Sequence, residues 1–240
     1  MDKPKILITG ASRGIGLALA EKLAPDYDLI LHASKPGNLP PLKPGQFAMY
    51  ADFSINQELI AFCKKLKAEH SDRLYAVINN AGLTLDKAIL FQPESDIDKM
   101  IQVNLKAPIL ISKTVLKIFN LKKEGVILNV SSCVAETGNA FQAVYAATKA
   151  ALIAFSKSLA KETAYLHAEH KIRILSVSPG FVETSMINSI PKSEQEKIRN
   201  LIPLRRLGST DEIAEAIGFL ISTKASYING SNIAINGGLI

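Results

Sequence analysis

Tyr145 and Lys149 stand four residues apart in the stretch Ala143 to His167, which is predicted to be a helix, so a phenol and an ammonium share one helix face. A phenol with an unperturbed pKa of about 10 is a poor acid-base group at neutral pH. A neighbouring ammonium favours phenolate and is expected to lower that value. Tuned in this way, Tyr145 could act as a general acid, protonating a carbonyl oxygen as hydride arrives at the carbon. Ser132 follows the apolar run Val126–Val130 and could hydrogen-bond the same oxygen as charge develops on it. A tyrosine and a lysine at this spacing are common on helices for structural reasons alone. The pair therefore gains meaning only from what surrounds it.

A second group of residues points to an anionic ligand. Thr9-Gly10-Ala11-Ser12-Arg13-Gly14-Ile15-Gly16 lies between a short apolar run and an amphipathic stretch. A glycine-rich turn there lets the backbone approach a pyrophosphate, and the helix N-terminus offers unpaired N–H groups and a positive dipole end. The spacing is G-x-x-x-G-x-G, not the common G-x-G-x-x-G, so the turn alone is weak evidence. After the second apolar run stand Ser34 and Lys35, where an acid would otherwise hold a ribose diol. A hydroxyl and an ammonium accept a 2′-phosphate, an acid repels one, and Arg13 could reach the same group. NADP(H) is therefore expected over NAD(H), chiefly from the missing acid and Arg13. Lys35 by itself reads equally well as a solvated loop lysine.

Such residues need a scaffold that brings the ends of several strands together. Strands are predicted at 6–9, 29–32, 46–50, 74–78, 126–130, 172–177 and 232–235. Helices are predicted at 14–24, 54–69, 94–102, 107–119, 143–167 and 211–220. This alternation predicts an α/β fold with a Rossmann-type, doubly wound parallel sheet of about seven strands, helices on both faces, and one domain over 1–240. A substrate lid is expected around 185–205. Residues 34–45 carry four prolines and two glycines, so this crossover is expected to be a loop with at most one helical turn.

Composition removes several classes. The two cysteines, Cys63 and Cys133, form no CxxC pair, which suggests reduced thiols and a cytoplasmic setting. No apolar run approaches the length of a membrane span, and the N-terminus does not read as a signal peptide. The net charge of +6 favours anionic partners, but no basic run or aromatic interleaving suggests nucleic acid. The four histidines, His32, His70, His167 and His170, show no metal-ligand or triad grouping. Cys133, beside Ser132, reads as a packing residue.

Taken in order, Thr9–Gly16, Asp52, Asn79-Asn80-Ala81-Gly82, Asn104, Ser132, Tyr145, Lys149 and Ser178-Pro179-Gly180 resemble the landmarks of the short-chain dehydrogenase/reductase family over nearly the whole chain. The resemblance implies that Asn104 completes a tetrad by holding a water that links Lys149 to a proton relay. It implies that Lys149 also binds the nicotinamide ribose and that Asp52 and Phe53 meet the adenine. Asn79, Ala81 and Gly82 would line the cofactor's ribose and steady the central strand. Pro179, Gly180, Val182 and Thr184 would pack on the nicotinamide. Asn80 and Ala81 also suit a plain turn, and Thr184 a helix N-cap.

Within the family the chain is most similar to 3-oxoacyl-[acyl-carrier-protein] reductases, on Pro179-Gly180-Phe181-Val182-Glu183-Thr184-Ser185-Met186, Ile202-Pro203-Leu204-Arg205-Arg206-Leu207-Gly208, Tyr227-Ile228-Asn229-Gly230 and Asn236-Gly237-Gly238. This implies NADPH-dependent reduction of a 3-oxoacyl thioester in fatty acid synthesis, delivered on an acyl-carrier protein. A docking charge would come from Lys122 or Lys123. The alternatives are a sibling reductase of acetoacetyl-CoA or a free ketone, and a dinucleotide-binding protein without turnover. The Pro-rich loop replaces a helix usual in the family, and Phe141 and Gln142 are expected to shape specificity. A homotetramer is implied as well, through the helices around 94–119 and 143–167 and the tail Gly237-Gly238-Leu239-Ile240.

Overall fold

The computed structural model describes residues 3–184 and 192–240. Seven strands form one parallel sheet: β1 Lys5–Ile8, β2 Asp28–Ala33, β3 Gln46–Tyr50, β4 Leu74–Asn79, β5 Glu124–Val130, β6 Lys171–Pro179 and β7 Asn232–Ile235, in the order β3-β2-β1-β4-β5-β6-β7. The central strands read as near-continuous apolar runs because helices cover both of their faces. Alternation then divides them. Ile6 and Ile8 of β1 join the core against helices α1 (Gly14–Leu23) and Thr210–Ile221, while Leu7 joins the core beneath α2 (Asn56–His70) and Ala107–Lys122. All three are fully buried, and Leu7→Ala would cost about 2–5 kcal/mol.

The strand order reverses between β1 and β4, and the turns that leave their carboxyl ends therefore diverge. That divergence opens the crevice in which open α/β sheets take ligands.

Past β4 the helices are α3 Glu94–Ile101, α4 Ala107–Lys122, α5 Val134–Thr137, α6 Ala143–Leu166, α7 Lys192–Leu201 and α8 Thr210–Ile221. The sequence suggested separate helices at 94–102 and 107–119. They run into one another through a π-helical turn, Gln102–Lys106, where Ala107 N–H reaches back to the Gln102 carbonyl. Such widened turns concentrate at functional sites, and this one contains Asn104. The serine before α8 forms a capping box: Ser209 Oγ accepts the Glu212 N–H at 3.1 Å, and Glu212 accepts the Ser209 N–H at 2.8 Å.

The β2–β3 crossover is a loop, as its prolines dictate. Turns at Lys35–Asn38 and Lys43–Gln46 shape it, and Leu39 packs from it against the α1-side core. Of the lid expected at 185–205, residues 185–191 lie outside the described residues, and α7 occupies most of the remainder. Among the described residues no helix is long and apolar enough to cross a membrane, and no cluster of side chains could hold a metal ion.

Candidate active site

The crevice between β1 and β4 is a cleft of about 700 Å³. Its floor is the glycine turn. Gly10 has φ +67°, and a Cβ there would lie 2.9 Å from the Ala81 Cα, while a Cβ on Gly16 would lie 2.1 Å from the Gly10 carbonyl oxygen. Only glycine fits either place. The N-cap residue of α1 is Arg13, in extended conformation and with no side-chain cap hydrogen bond. The first-turn N–H groups are thus left for an anion, with a guanidinium beside them.

The turn is locked from β4. Thr9 Oγ1 accepts the N–H groups of Asn80 and Ala81, each at 2.9 Å, and Asn80 Nδ2 donates to the carbonyls of Thr9 and Gly10 at 3.0 and 3.1 Å. In the sequence Asn80 belongs to a family landmark and also suits a plain turn. It is the clamp that joins the two halves of the crevice. His32 was set aside altogether, yet its Nδ1 accepts the Gly10 N–H at 3.1 Å and its Nε2–H donates to the Ala51 carbonyl at 2.9 Å. Its ring stacks on Phe53 with centroids 3.9 Å apart. Burial lowers its pKa to about 4, so it is neutral near pH 7. The available signal was a polar residue near the carboxyl end of an otherwise apolar strand.

Gly10, Ser12, Arg13, Gly14, Ile15, Ser34, Asp52, Phe53, Ala81, Gly82 and Thr184 all line the cleft, with His32 and Asn80. Asp52 lies at the far end from Gly82. Its Oδ1 accepts the Ser54 N–H and hydroxyl at 2.9 and 2.7 Å, which holds its pKa below the usual carboxylate value. Lys35 is not in the wall, although its charge contributes to that lowering.

Other expected cofactor residues act from behind the wall. Asn79 is buried, and its Nδ2 donates to Asn129 Oδ1 at 2.8 Å. Asn129 Nδ2 donates in turn to Ser156 Oγ at 2.8 Å. This polar ladder ties β4 and β5 to α6. Gly16 serves the turn. Gly180 donates to the Ile235 carbonyl at 2.9 Å, and a Cβ on it would strike Asn236 at 2.8 Å; Val182 is buried and bridges to Gly208. Pro179 accepts the Cys133 N–H at 2.9 Å, and Ser131 N–H reaches Val177 at 2.8 Å, so β6 fixes the loop that carries Ser132. Cys133 is buried, in keeping with a packing role.

The residues expected to do acid-base work adjoin the cleft at Gly82, where a Cβ would lie 3.3 Å from Lys149 Nζ and 3.4 Å from Asn104 Oδ1. Asn104, fully buried, exchanges two hydrogen bonds with the backbone of Leu83 at 2.9 and 2.8 Å and donates to Thr148 Oγ1 at 3.2 Å. Lys149 Nζ donates to the Val130 carbonyl at 2.8 Å and lies 5.7 Å from the centre of the Tyr145 ring.

The electrostatics differ from the sequence expectation. Lys149 was expected to lower the pKa of Tyr145. Instead burial pushes the phenol up to about 12, opposed by hydrogen bonding to Ser132, and burial lowers Lys149 to about 8. Desolvation is the largest cause at both groups, and the Lys149 ammonium donates to the Val130 carbonyl. The phenol accordingly keeps its proton at neutral pH, which is the form a general acid requires.

At the surface, Lys122 bends inward and donates to the Leu74 carbonyl at 2.9 Å, whereas Lys123 is exposed. Of the two, Lys123 is the one open to an acidic partner.

The chain is similar to known proteins over nearly its whole length. A family model described as Enoyl-(Acyl carrier protein) reductase matches residues 10–240. The 3-oxoacyl-[acyl-carrier-protein] reductase FabG of Escherichia coli (strain K12) is 34% identical over 238 residues, covering 97% of this chain and 96% of that protein. FabG of Aquifex aeolicus (strain VF5) is 35% identical over 241 residues, covering 97% and 96%. Nodulation protein G of Rhizobium sp. (strain N33) is 35% identical over 240 residues, covering 98% and 96%.

Proposed function

The chain belongs to the short-chain dehydrogenase/reductase family, and from that premise we propose that it reduces 3-oxoacyl thioesters carried on acyl-carrier protein to 3-hydroxyacyl thioesters, with NADPH, in fatty acid synthesis. The observation that carries the reading is the junction at Gly82. There a dinucleotide-sized cleft meets Lys149 Nζ at 3.3 Å from the position of an ideal Cβ, and Lys149 shares a helix face with Tyr145.

The residues present fit a dinucleotide. The glycine turn and the uncapped N-terminus of α1 would hold its pyrophosphate. Arg13 and Ser34, both in the wall, would take a 2′-phosphate. Asp52 and Phe53 would flank the adenine, Thr184 the nicotinamide end, and Lys149 the nicotinamide ribose. When bound, the nicotinamide supplies the hydride. Ser132 would hold the substrate's carbonyl oxygen, and Tyr145 Oη would deliver its proton to that oxygen as the carbon is reduced. Lys149, held by the Val130 carbonyl, and Asn104, held by the Leu83 backbone and Thr148, would order that side of the phenol and carry the relay that returns the proton.

A positive net charge and exposed Lys123 favour an acidic carrier. A homotetramer and a cytoplasmic location belong to the same reading. Their support is the exposed apolar surface at Leu121, Tyr165 and Leu166, and two buried cysteines without a disulfide. Oxidation of NADPH is the test, with acetoacetyl-CoA and with a 3-oxoacyl thioester of acyl-carrier protein. Turnover of the carrier thioester with the higher kcat/KM is expected. Turnover of acetoacetyl-CoA alone would assign the enzyme to the sibling class, and turnover of neither would remove the reductase reading.

A further inference from the structure

Phe141 occupies the left-handed region of backbone space, with φ +67°. For a bulky residue this is a genuine outlier that costs conformational energy. Burial does not compensate it, because Phe141 is 64% exposed. The residue is nevertheless held in place. Its carbonyl accepts the Lys87 N–H at 2.9 Å, and the next residue, Gln142 at the N-cap of α6, donates its Nε2–H to Asp86 Oδ2 at 2.9 Å. Two hydrogen bonds thus join the segment before α6 to the loop after β4. That loop goes on to a 3-10 turn, Ile89–Phe91, whose side chains are also largely exposed.

A strained, exposed aromatic that gains nothing for the fold invites a functional explanation. Phe141 lies two residues before α6, whose first turn carries Tyr145, and Asp86, the partner of Gln142, is near enough to Tyr145 to act on its phenol. The part of a 3-oxoacyl thioester that continues away from that carbonyl is an alkyl chain. We propose that Phe141 is a specificity-determining residue that forms an apolar lip for the acyl chain. The inference rests on the reductase reading above and refines its substrate class toward longer chains.

The test compares kcat/KM for acetoacetyl-CoA and 3-oxodecanoyl-CoA, with NADPH, in the wild type, Phe141→Gly and Phe141→Leu. Glycine accepts φ +67° without strain, so Phe141→Gly should melt no lower than the wild type, and loss of fold is controlled. In Phe141→Gly the ratio of long-chain to short-chain kcat/KM should fall about tenfold, and in Phe141→Leu by less than about threefold. A ratio for Phe141→Gly within about twofold of the wild type would overturn the lip while leaving the reductase reading intact. A changed sedimentation coefficient with that unchanged ratio would assign the surface to contact between copies of the chain, and so also overturn it. A wild type that reduces neither thioester would overturn the reductase reading and this inference with it.

Discussion

Nδ1 of His32 accepts the backbone N–H of Gly10 across 3.1 Å, so a side chain of β2 sets the conformation of the turn after β1. The bond exists only while the ring is neutral at Nδ1. The folded pKa is about 4 against an ordinary value of 6.5, so the unfolded chain binds the proton more readily. The stability His32 contributes is complete above pH 6.5 and is lost as pH falls toward 4. Denaturant unfolding of the wild type should show this added slope, and His32→Leu should lack it. At pH 7 that variant should be less stable by about 1–3 kcal/mol, since Gly10 N–H loses its acceptor. Parallel stability curves for the two proteins would show that His32 does not titrate in this way.

Lys149 is buried, and its folded pKa of about 8 lies below the ordinary 10.5. Here the folded state disfavours the proton, so its stability cost is full below pH 8 and fades as pH rises toward 10.5. Lys149→Met should therefore abolish reduction and yet unfold at higher denaturant concentration at pH 7, by about 1–3 kcal/mol. The gap between the two proteins should narrow above pH 8. A variant that is inactive and also less stable would mean that the bond to Val130 outweighs the buried charge.

Tyr145→Phe removes only the proton donor. It should lower kcat by about 10²–10⁴-fold while dissociation of NADPH, followed by fluorescence, changes little. Because burial keeps the phenol protonated to about 12, the first fall in the pH profile of kcat/KM should lie near 8, where Lys149 titrates. A profile that stays flat through pH 9 would separate Lys149 from the reaction.

Arg13 and Ser34 face the end of the cleft where a 2′-phosphate would sit. Arg13→Ala should raise KM for NADPH about tenfold or more and leave KM for NADH nearly the same. Ser34→Asp should invert the preference. Equal effects on both cofactors would show that neither side chain reads the phosphate.

Much of this was legible in the sequence. The alternation of apolar runs with helical stretches gave the seven strands within a few residues, because strands buried on both faces must be apolar. The order of Gly10, Ser132, Tyr145 and Lys149 along the chain pointed to a candidate site, and in the structure Gly10 lines the cleft while Lys149 lies beside Gly82. What escaped was the support behind it. Asn80 and His32 act through hydrogen bonds to backbone groups far away in the chain, and no local pattern announces such partners. Asn79 was expected in the cofactor wall, but an asparagine at a strand end looks the same whether it faces the cleft or Asn129. The direction of the Tyr145 shift was also missed, because residue spacing gives proximity but not desolvation.

The Pro-rich crossover separates two kinds of commitment. Tyr145, Lys149 and Asn104 are wired into the core through Val130, Thr148 and Leu83, so any change there disturbs packing as well as chemistry. Ser34 opens a loop without a helix that Leu39 packs against the core and that Gly45 ties to Leu29 of β2. If Arg13 and Ser34 read the 2′-phosphate as proposed, changes confined to that loop would retune which reductant pool the enzyme draws on while its fold and its acid stay as they are.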